Sequence, residues 1–449
     1  MKLKEVKKMY FLGLGGIGMS ALSRYCSTLG IEIHGYDLTP TKLTNRLADE
    51  GMQIHYEDNV SLIPDDLDLV IYTPAIPKTN KEFQYFQNSN IEMLKRSQLL
   101  GLLSEEFFTI AVAGTHGKTS ISSIIAHILY QANVNVSAII GGIMNNYGTN
   151  AIINGKTEYL VVEADEFDRS FHYLHPDMSV ISSVDNDHLD IYSDNASLLN
   201  AFEIFASKTN ENGLLIKCDK LDSFAKNSGN CLSYGFGKNA DVKAENVHID
   251  AGKFVFDLHY KDVLINDIHM QIPGRHYIEN ALAAASVALK LDLSVKEIKA
   301  GLETFSGVER RFEYKINTDK IVFIDDYAHH PQEIESTLDA VKELYPLKKM
   351  LVVFQPHLFS RTADFADGFA QSLERADEII LLDIYPAREL PRPGVDSNLI
   401  LGKIKNKNKR LLSKEELKKY VKEENIELLV SLGAGDIGAM VNDLKEILE

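Results

Sequence analysis

Short apolar runs alternate along this chain with longer stretches in which apolar residues recur every three or four positions. Runs of strand length read as buried parallel strands, and the periodic stretches as helices with one apolar face. Met9 to Leu12 and Ile31 to Tyr36 bracket a helical stretch through Leu29. Thr109 to Ala113 leads into another, where Ile121, Ile124, Ile125, Ile128 and Leu129 share a face. Leu69 to Thr73, Tyr159 to Val162 and Met178 to Val184 add strands. From Cys231 to Ile272 the pattern changes to strict alternation, as in Lys253-Phe254-Val255-Phe256-Asp257-Leu258-His259, and predicts a small antiparallel sheet. Further on, Ile321 to Ile324, Met350 to Phe354, Glu378 to Asp383 and Leu428 to Leu432 each run into polar residues or glycine. Strand–helix alternation of this kind predicts an α/β protein with open parallel sheets and ligand edges at the carboxyl ends of the strands. Breaks near Leu102-Leu103-Ser104 and Ser306-Gly307-Val308 divide it into three domains, 1–103, 104–307 and 308–449. The first and last are Rossmann-like, and the middle one carries the small antiparallel sheet. The Lys-rich run from Lys403 to Lys422 reads as solvated surface with one helix.

Composition changes this picture little. The 449 residues are 45% hydrophobic and 25% charged, as in ordinary globular proteins. A formal net charge of -17 disfavours nucleic acid as a partner. No apolar run reaches membrane-spanning length and the Lys-rich start lacks a signal-peptide core, so no membrane partner and a cytoplasmic location are expected. The three cysteines, Cys26, Cys218 and Cys231, lack metal spacing and are expected as small core hydrophobes in a reducing compartment.

The candidate chemistry sits where strands meet helices. Gly114-Thr115-His116-Gly117-Lys118-Thr119-Ser120 has the layout of a phosphate-binding loop. Its backbone N–H groups and the helix N-terminus attract phosphate, Lys118 reaches the terminal phosphates, and the Thr119 hydroxyl suits Mg²⁺. The usual first glycine is replaced by Val112, so Gly114 supplies the freedom in a more compact loop. Near the N-terminus, Gly13-Leu14-Gly15-Gly16-Ile17-Gly18 followed by Asp37 is a dinucleotide fingerprint: pyrophosphate on the helix N-terminus, Asp37 on a ribose hydroxyl. NAD and a nucleotide-sugar diphosphate fit it equally well, and a ligand-free glycine turn is the plain alternative. Thr73 faces the same crevice, where Arg96 either adds a charge or is simply solvated. Two strands end in acids and a histidine, Glu163-Ala164-Asp165-Glu166 and Asp185-Asn186-Asp187-His188. Glu163 and His188 are candidate Mg²⁺ ligands beside the phosphate loop; each alone also reads as a turn acid or a core histidine. Asp165 and Asp187 are placed behind them. Asn280, after Gly274-Arg275-His276, has the donor and acceptor that adenine requires, or simply belongs to a polar helix cap.

Taken together these motifs, with Arg310-Arg311-Phe312-Glu313, Asp325-Asp326-Tyr327-Ala328-His329-His330-Pro331 and Gln355-Pro356-His357, resemble the Mur ligase family over essentially the whole chain. The resemblance implies a first domain that binds UDP rather than NAD, through Gly15, Gly16, Ile17, Gly18, Asp37 and Thr73, with His116 also reaching the sugar nucleotide. It implies a P-loop-type central domain holding ATP through residues 114–120 and Asn280, completed from the third domain by Arg310 and Asp326, with Tyr327 a weaker candidate. Metal ligands would be Thr119, Glu163 and His188, and the catalytic set Lys118, Glu163 and His188. His357 and Arg361 would bind the amino acid; Leu358 stands where some relatives have a second arginine, and Arg388 could contribute in its place. The branch most resembled joins L-alanine to UDP-N-acetylmuramate with ATP and Mg²⁺, through an acyl phosphate, as monomer or dimer. It lacks the carbamylated lysine some relatives use. A ligase attaching a recycled tripeptide shares most of these motifs. An NAD oxidoreductase would leave Lys118 without a task, and a non-catalytic nucleotide sensor would not need the set Lys118, Thr119, Glu163 and His188.

Overall fold

The computed structural model describes residues 3–185, 192, 194–221, 224–225, 229–387 and 389–449. Three sheets order the chain. The first has strands β1 (Lys8–Leu12), β2 (Glu32–Tyr36), β3 (Gln53–His55), β4 (Leu69–Tyr72) and β5 (Glu92–Lys95), in the order β3-β2-β1-β4-β5 and parallel throughout. The order reverses between β1 and β4, so the loops after these strands, Gly13–Gly16 and Thr73, flank the switch point where such sheets collect ligands.

The second sheet comprises β6 (Phe108–Ala113), β7 (Val136–Met144), β8 (Thr149–Ile152), β9 (Tyr159–Glu163), β10 (Met178–Ile181), β11 (Leu214–Cys218), β12 (Cys231–Gly235), β13 (Val242–Asp250), β14 (Lys253–Tyr260) and β15 (Val263–His269). Its order is β15-β14-β13-β12-β11-β10-β6-β9-β7-β8. β6 lies between β9 and β10, parallel to both. The phosphate loop, Glu163 and the segment after β10 therefore leave the same edge. β6 and β10 show no exposed polar face: apart from Phe108, every side chain on them is buried. The segment expected as a small antiparallel sheet supplies strands that extend this sheet. β12 runs parallel to β11 and β13 parallel to β12. β13 and β14 are joined by the two-residue turn Ala251-Gly252, both at positive φ, the twist that lets a tight hairpin close.

The third sheet comprises β16 (Glu313–Asn317), β17 (Val322–Asp326), β18 (Met350–Phe354), β19 (Glu378–Leu381), β20 (Lys409–Leu411) and β21 (Leu428–Leu432), in the order β16-β17-β21-β18-β19-β20. Only β16 is antiparallel. The Lys-rich run contains, besides its expected helix Lys414–Glu423, the short edge strand β20, where Lys and Arg suit a solvent-facing rim.

The chain divides into two compact units: residues 1–244, 258–265 and 280–302 in one, and 245–257, 266–279 and 303–449 in the other. Within the first unit one continuous core joins the first sheet to the second, running from Met9, Phe11 and Leu22 through Leu103 to Ile139, Val162, Phe171 and Phe205. The second unit has its own core around Phe323, Val353, Ile380, Leu429 and Leu444. Of the cysteines, Cys26 and Cys218 are buried as expected, but Cys231 is exposed, because it opens a strand whose first residue faces out. No helix among the described residues is long and apolar enough to cross a membrane.

Candidate active site

The helix Lys118–Gln131 starts directly on the phosphate loop, with Gly117 as its N-cap at φ 83. Two positions demand glycine. A Cβ at Gly114, φ 141, would lie 2.0 Å from the Ser182 hydroxyl, and one at Gly117 would lie 2.8 Å from the Asn280 Oδ1. Thus the loop packs against the end of β10 on one side and carries Asn280 against the other. The His116 N–H donates to Ser183 Oγ at 2.9 Å and the Thr115 N–H to the Ser183 carbonyl at 3.1 Å. Thr115 and Asp185 exchange hydroxyl and backbone hydrogen bonds. The His116 ring lies 3.7 Å from the Asp185 carboxylate. Ser120 is buried in the first turn of the helix.

Lys118 points back into the loop. Its ammonium donates to the Gly114 carbonyl at 2.7 Å and to both oxygens of Glu166, at 2.9 and 2.7 Å. Burial works against that charge, but the carboxylates of Glu166, Asp165 and Glu163 outweigh it and hold the lysine above its ordinary pKa. Glu166 is itself 1% exposed and its carbonyl accepts from the Tyr192 hydroxyl. Thr119 Oγ1 donates to Glu163 Oε2 at 3.1 Å, and the Gly141 N–H to Glu163 Oε1. Burial pushes the Glu163 carboxyl up against the opposing pull of Gly141, Lys118 and Thr119. The all-oxygen pair of Thr119 and Glu163, beside a lysine, is a donor set suited to a hard cation carrying phosphate. His188, Asp187 and Arg388 lie outside the described residues.

At the first sheet, Asp37 accepts from the Gly15 N–H at 2.7 Å, bracing the loop. A Cβ at Gly15 would meet Thr44 and Asp37, at 2.6 and 2.9 Å. Gly16 caps the helix Ile17–Thr28 with no side-chain partner, so its N-terminal N–H groups remain available to an anion. Thr73 packs against Gly13. Arg96, weighed from sequence as a charge either in this crevice or merely solvated, lies with its guanidinium against Gly18. Its signal was position: it opens the helix that follows β5, beyond the carboxyl end of a parallel strand.

In the second unit, Arg310 is held at φ 58, with its guanidinium on Asp325 at 3.0 Å and on the Gly433 carbonyl at 2.7 Å. Asp326 is 4% exposed and accepts from the Phe312 and Ala328 N–H groups, both at 2.7 Å. Burial raises its carboxyl to about 6, although Arg311 pulls the other way. Both residues are thus engaged within their own sheet edge in this conformation. The Tyr327 ring has the Arg310 and Arg311 guanidinium groups each 5.3 Å from its centroid. His357 stacks on Tyr385 at 5.8 Å between ring centroids and lies 6.3 Å from His329. Burial, then the charge of Arg361, lower the His357 ring to about 4, so it is a neutral acceptor or donor beside a cation. Among the described residues its buried Nδ1 has no hydrogen-bond partner. Arg361 starts the second half-turn of the helix Phe359–Leu373.

Sequence reasoning assigned no task to Glu166, to Gly141 or to Asn150. The first was visible as an acid three residues after Glu163, but nothing in spacing told which acid turns inward to Lys118.

Residues 8–108 match the Mur ligase family catalytic domain, 112–288 the Mur ligase middle domain, and 310–437 the Mur ligase glutamate ligase domain. The UDP-N-acetylmuramate–L-alanine ligase of Flavobacterium johnsoniae is 46% identical over 452 residues, covering 100% of this chain and 99% of that protein. The ligase of the same name from Phocaeicola vulgatus is 45% identical, covering 100% and 99%. Among solved structures, the UDP-N-acetylmuramate-alanine ligase of Thermotoga maritima superposes with a TM-score of 0.82 at 27% identity, covering 98% of each chain. A murein peptide ligase from Psychrobacter arcticus shares the fold, with a TM-score of 0.72 at 22% identity. The chain belongs to the Mur ligase family.

Proposed function

We infer that this chain uses ATP to join L-alanine to the carboxylate of UDP-N-acetylmuramate, in the synthesis of peptidoglycan precursors. The observation that carries this is the continuity of one unit: the glycine loop at the head of Ile17–Thr28 and the Lys118 loop share a single core. A free carboxylate is a poor electrophile, so it is first phosphorylated. Its oxygen attacks the γ-phosphorus of ATP, the bond to the bridging oxygen breaks, and ADP leaves. The alanine nitrogen then attacks the acyl carbon, loses a proton, and phosphate departs as the amide forms. Lys118 supplies a fixed positive charge where negative charge is redistributed. Thr119 and Glu163, with His188, would hold Mg²⁺, which supplies Lewis-acid stabilisation of the transferring phosphoryl group.

The remaining roles are proposals of the same reading. Gly15, Gly16, Ile17, Gly18, Asp37, Thr73 and His116 take the sugar nucleotide, with Arg96 adding charge at the pyrophosphate. Residues 114–120 and Asn280 take ATP, joined by Arg310 and Asp326. His357 and Arg361 take L-alanine, the guanidinium on its carboxylate. The domain limits remain 1–103, 104–307 and 308–449, and the enzyme acts in the cytoplasm as monomer or dimer. Phosphate release measured with UDP-N-acetylmuramate, ATP and Mg²⁺, with and without L-alanine, tests the reading. Release that depends on L-alanine is expected. Release that depends instead on the murein tripeptide would move the chain to the tripeptide-adding branch.

A further inference from the structure

Asn150 is fully buried on β8 and makes three polar contacts. Its amide donates to the Ile17 carbonyl at 2.6 Å and to Ser20 Oγ at 3.1 Å, and its Oδ1 accepts from Arg24 at 2.6 Å. All three partners lie on the helix that begins at the sugar-nucleotide loop. Arg24 is anchored on its other side by a two-point ion pair to Glu50. A second tie crosses nearby, where the exposed Arg46 donates to the Gly148 carbonyl in the β7–β8 turn.

The hairpin also reaches the other substrate. β7 carries Gly141, whose N–H binds Glu163, and the pairing of β7 with β8 shifts register between Ile139 and Met144, around that glycine. A Cβ at Gly141 would lie 2.7 Å from Glu163 Oε2, so backbone and carboxylate are in direct contact. One hairpin thus grips the sugar-nucleotide helix through Asn150 and the phosphate-site carboxylate through Gly141. An amide buried in this way is costly unless every bond is made, so its geometry is narrowly fixed.

We propose that Asn150 is a positioning residue which sets the sugar-nucleotide loop against the Glu163 carboxylate and so aligns the two reactants of phosphoryl transfer. The proposal rests on the ligase reading above. Each loop keeps its own bracing without Asn150, the one through Asp37 and the other through Ser182 and Ser183, so binding should survive while alignment suffers. Misplacement by a fraction of an ångström is sufficient to slow a reaction between held groups.

The test compares full-length wild type with Asn150→Ala, Asn150→Asp and Arg46→Ala. Turnover is measured with UDP-N-acetylmuramate, ATP, Mg²⁺ and L-alanine, and binding of ADP and of UDP-N-acetylmuramate by calorimetry. Both Asn150 variants should lose about tenfold or more in kcat, with both affinities within about threefold of wild type. Asp matches the amide in shape but cannot donate to the Ile17 carbonyl when ionised, so it should fail like alanine. Arg46→Ala leaves the core intact and should lose about threefold in kcat. Wild type without turnover would overturn the ligase reading and not the alignment. An active wild type with unchanged kcat in Asn150→Asp and Arg46→Ala would overturn the alignment, as would a loss carried wholly by nucleotide affinity.

Discussion

Lys118 and Glu166 form a pair whose two halves do different things. In the proposed reaction the lysine serves phosphate, while the buried glutamate fixes where its ammonium sits. Lys118→Ala should therefore act twice. It removes the charge from the phosphate site, lowering kcat at least about a hundredfold. It also takes away the ammonium that faces both oxygens of the buried Glu166, a loss that costs about 3–5 kcal/mol when one partner of such a pair is removed. The double variant Lys118→Ala, Glu166→Gln should recover a large part of the stability and none of the turnover. Urea unfolding together with the phosphate-release assay separates the two effects, and equal stability of the single and double variants would show that Glu166 is not held by Lys118. UDP-N-acetylmuramate should still bind both variants. Gly114 allows a simpler expectation: alanine there meets the Ser182 hydroxyl at 2.0 Å, so Gly114→Ala should lose ATP binding measured by calorimetry.

At the scale of elements, the entry to the helix Phe359–Leu373 stores strain. Leu358 is its N-cap at φ 69 and ψ 139, a region that costs a residue with a side chain about 1–3 kcal/mol. The backbone is fixed there by the Leu358 N–H donating to the Tyr385 carbonyl at 2.9 Å, which aims His357 and Arg361 from the two sides of one turn. Leu358→Gly should raise the thermal midpoint by a few degrees, since glycine adopts this conformation freely and its added entropy in the unfolded chain offsets only part of the gain. A lowered midpoint would mean that the Leu358 side chain contributes packing that outweighs the strain. No residue pattern announced this turn, because the conformation is imposed by a hydrogen bond to the loop that follows β19. What the sequence did announce were elements whose cause is local. The apolar run Thr109 to Ala113 and its periodic successor became β6 and the helix Lys118–Gln131 with almost the expected limits. Strand ends were less legible: β10 stops at Ile181, before Val184, because Ser182 and Ser183 turn aside to support the phosphate loop. β3 and β20 carry too few apolar residues to stand out, and exist as strands only because a neighbour offers them an edge. Likewise Lys118, Thr119 and Glu163 could be assembled from motif and topology, whereas Glu166 and Asn150 depend on which way a buried polar side chain turns.

For the molecule as a whole, the second unit makes acid sensitivity a testable property. His276, His329 and His357 are each held near 4, first by burial, which outweighs the upward pull of Glu333 at His276 and His329; Arg311 and Arg361 add to burial, Arg361 most at His357, where it exceeds the pull of Glu389. In the unfolded chain they titrate near the ordinary value of about 6.5. Between these limits the unfolded state binds protons that the folded state refuses, so their stabilising effect is complete above about 6.5 and is lost as pH falls toward 4. Asp326 works in the opposite sense. Its carboxyl is raised to about 6, so the folded state takes up that proton first and gains stability as pH falls through 6. Three groups against one leave the histidines dominant, with a net loss on the order of 2 kcal/mol per pH unit near pH 5. The urea midpoint of the transition that includes β17 and β18 should therefore fall between pH 7 and pH 5, followed by the fluorescence of Tyr327 and its neighbours, since the chain has no tryptophan. His276→Phe, which removes one of the three groups while Asp326 still opposes the other two, should flatten that dependence by roughly half. A midpoint that holds steady or rises on acidification would mean that the histidines are charged in the folded protein, and that the neutral ring assigned to His357 beside Arg361 must be abandoned.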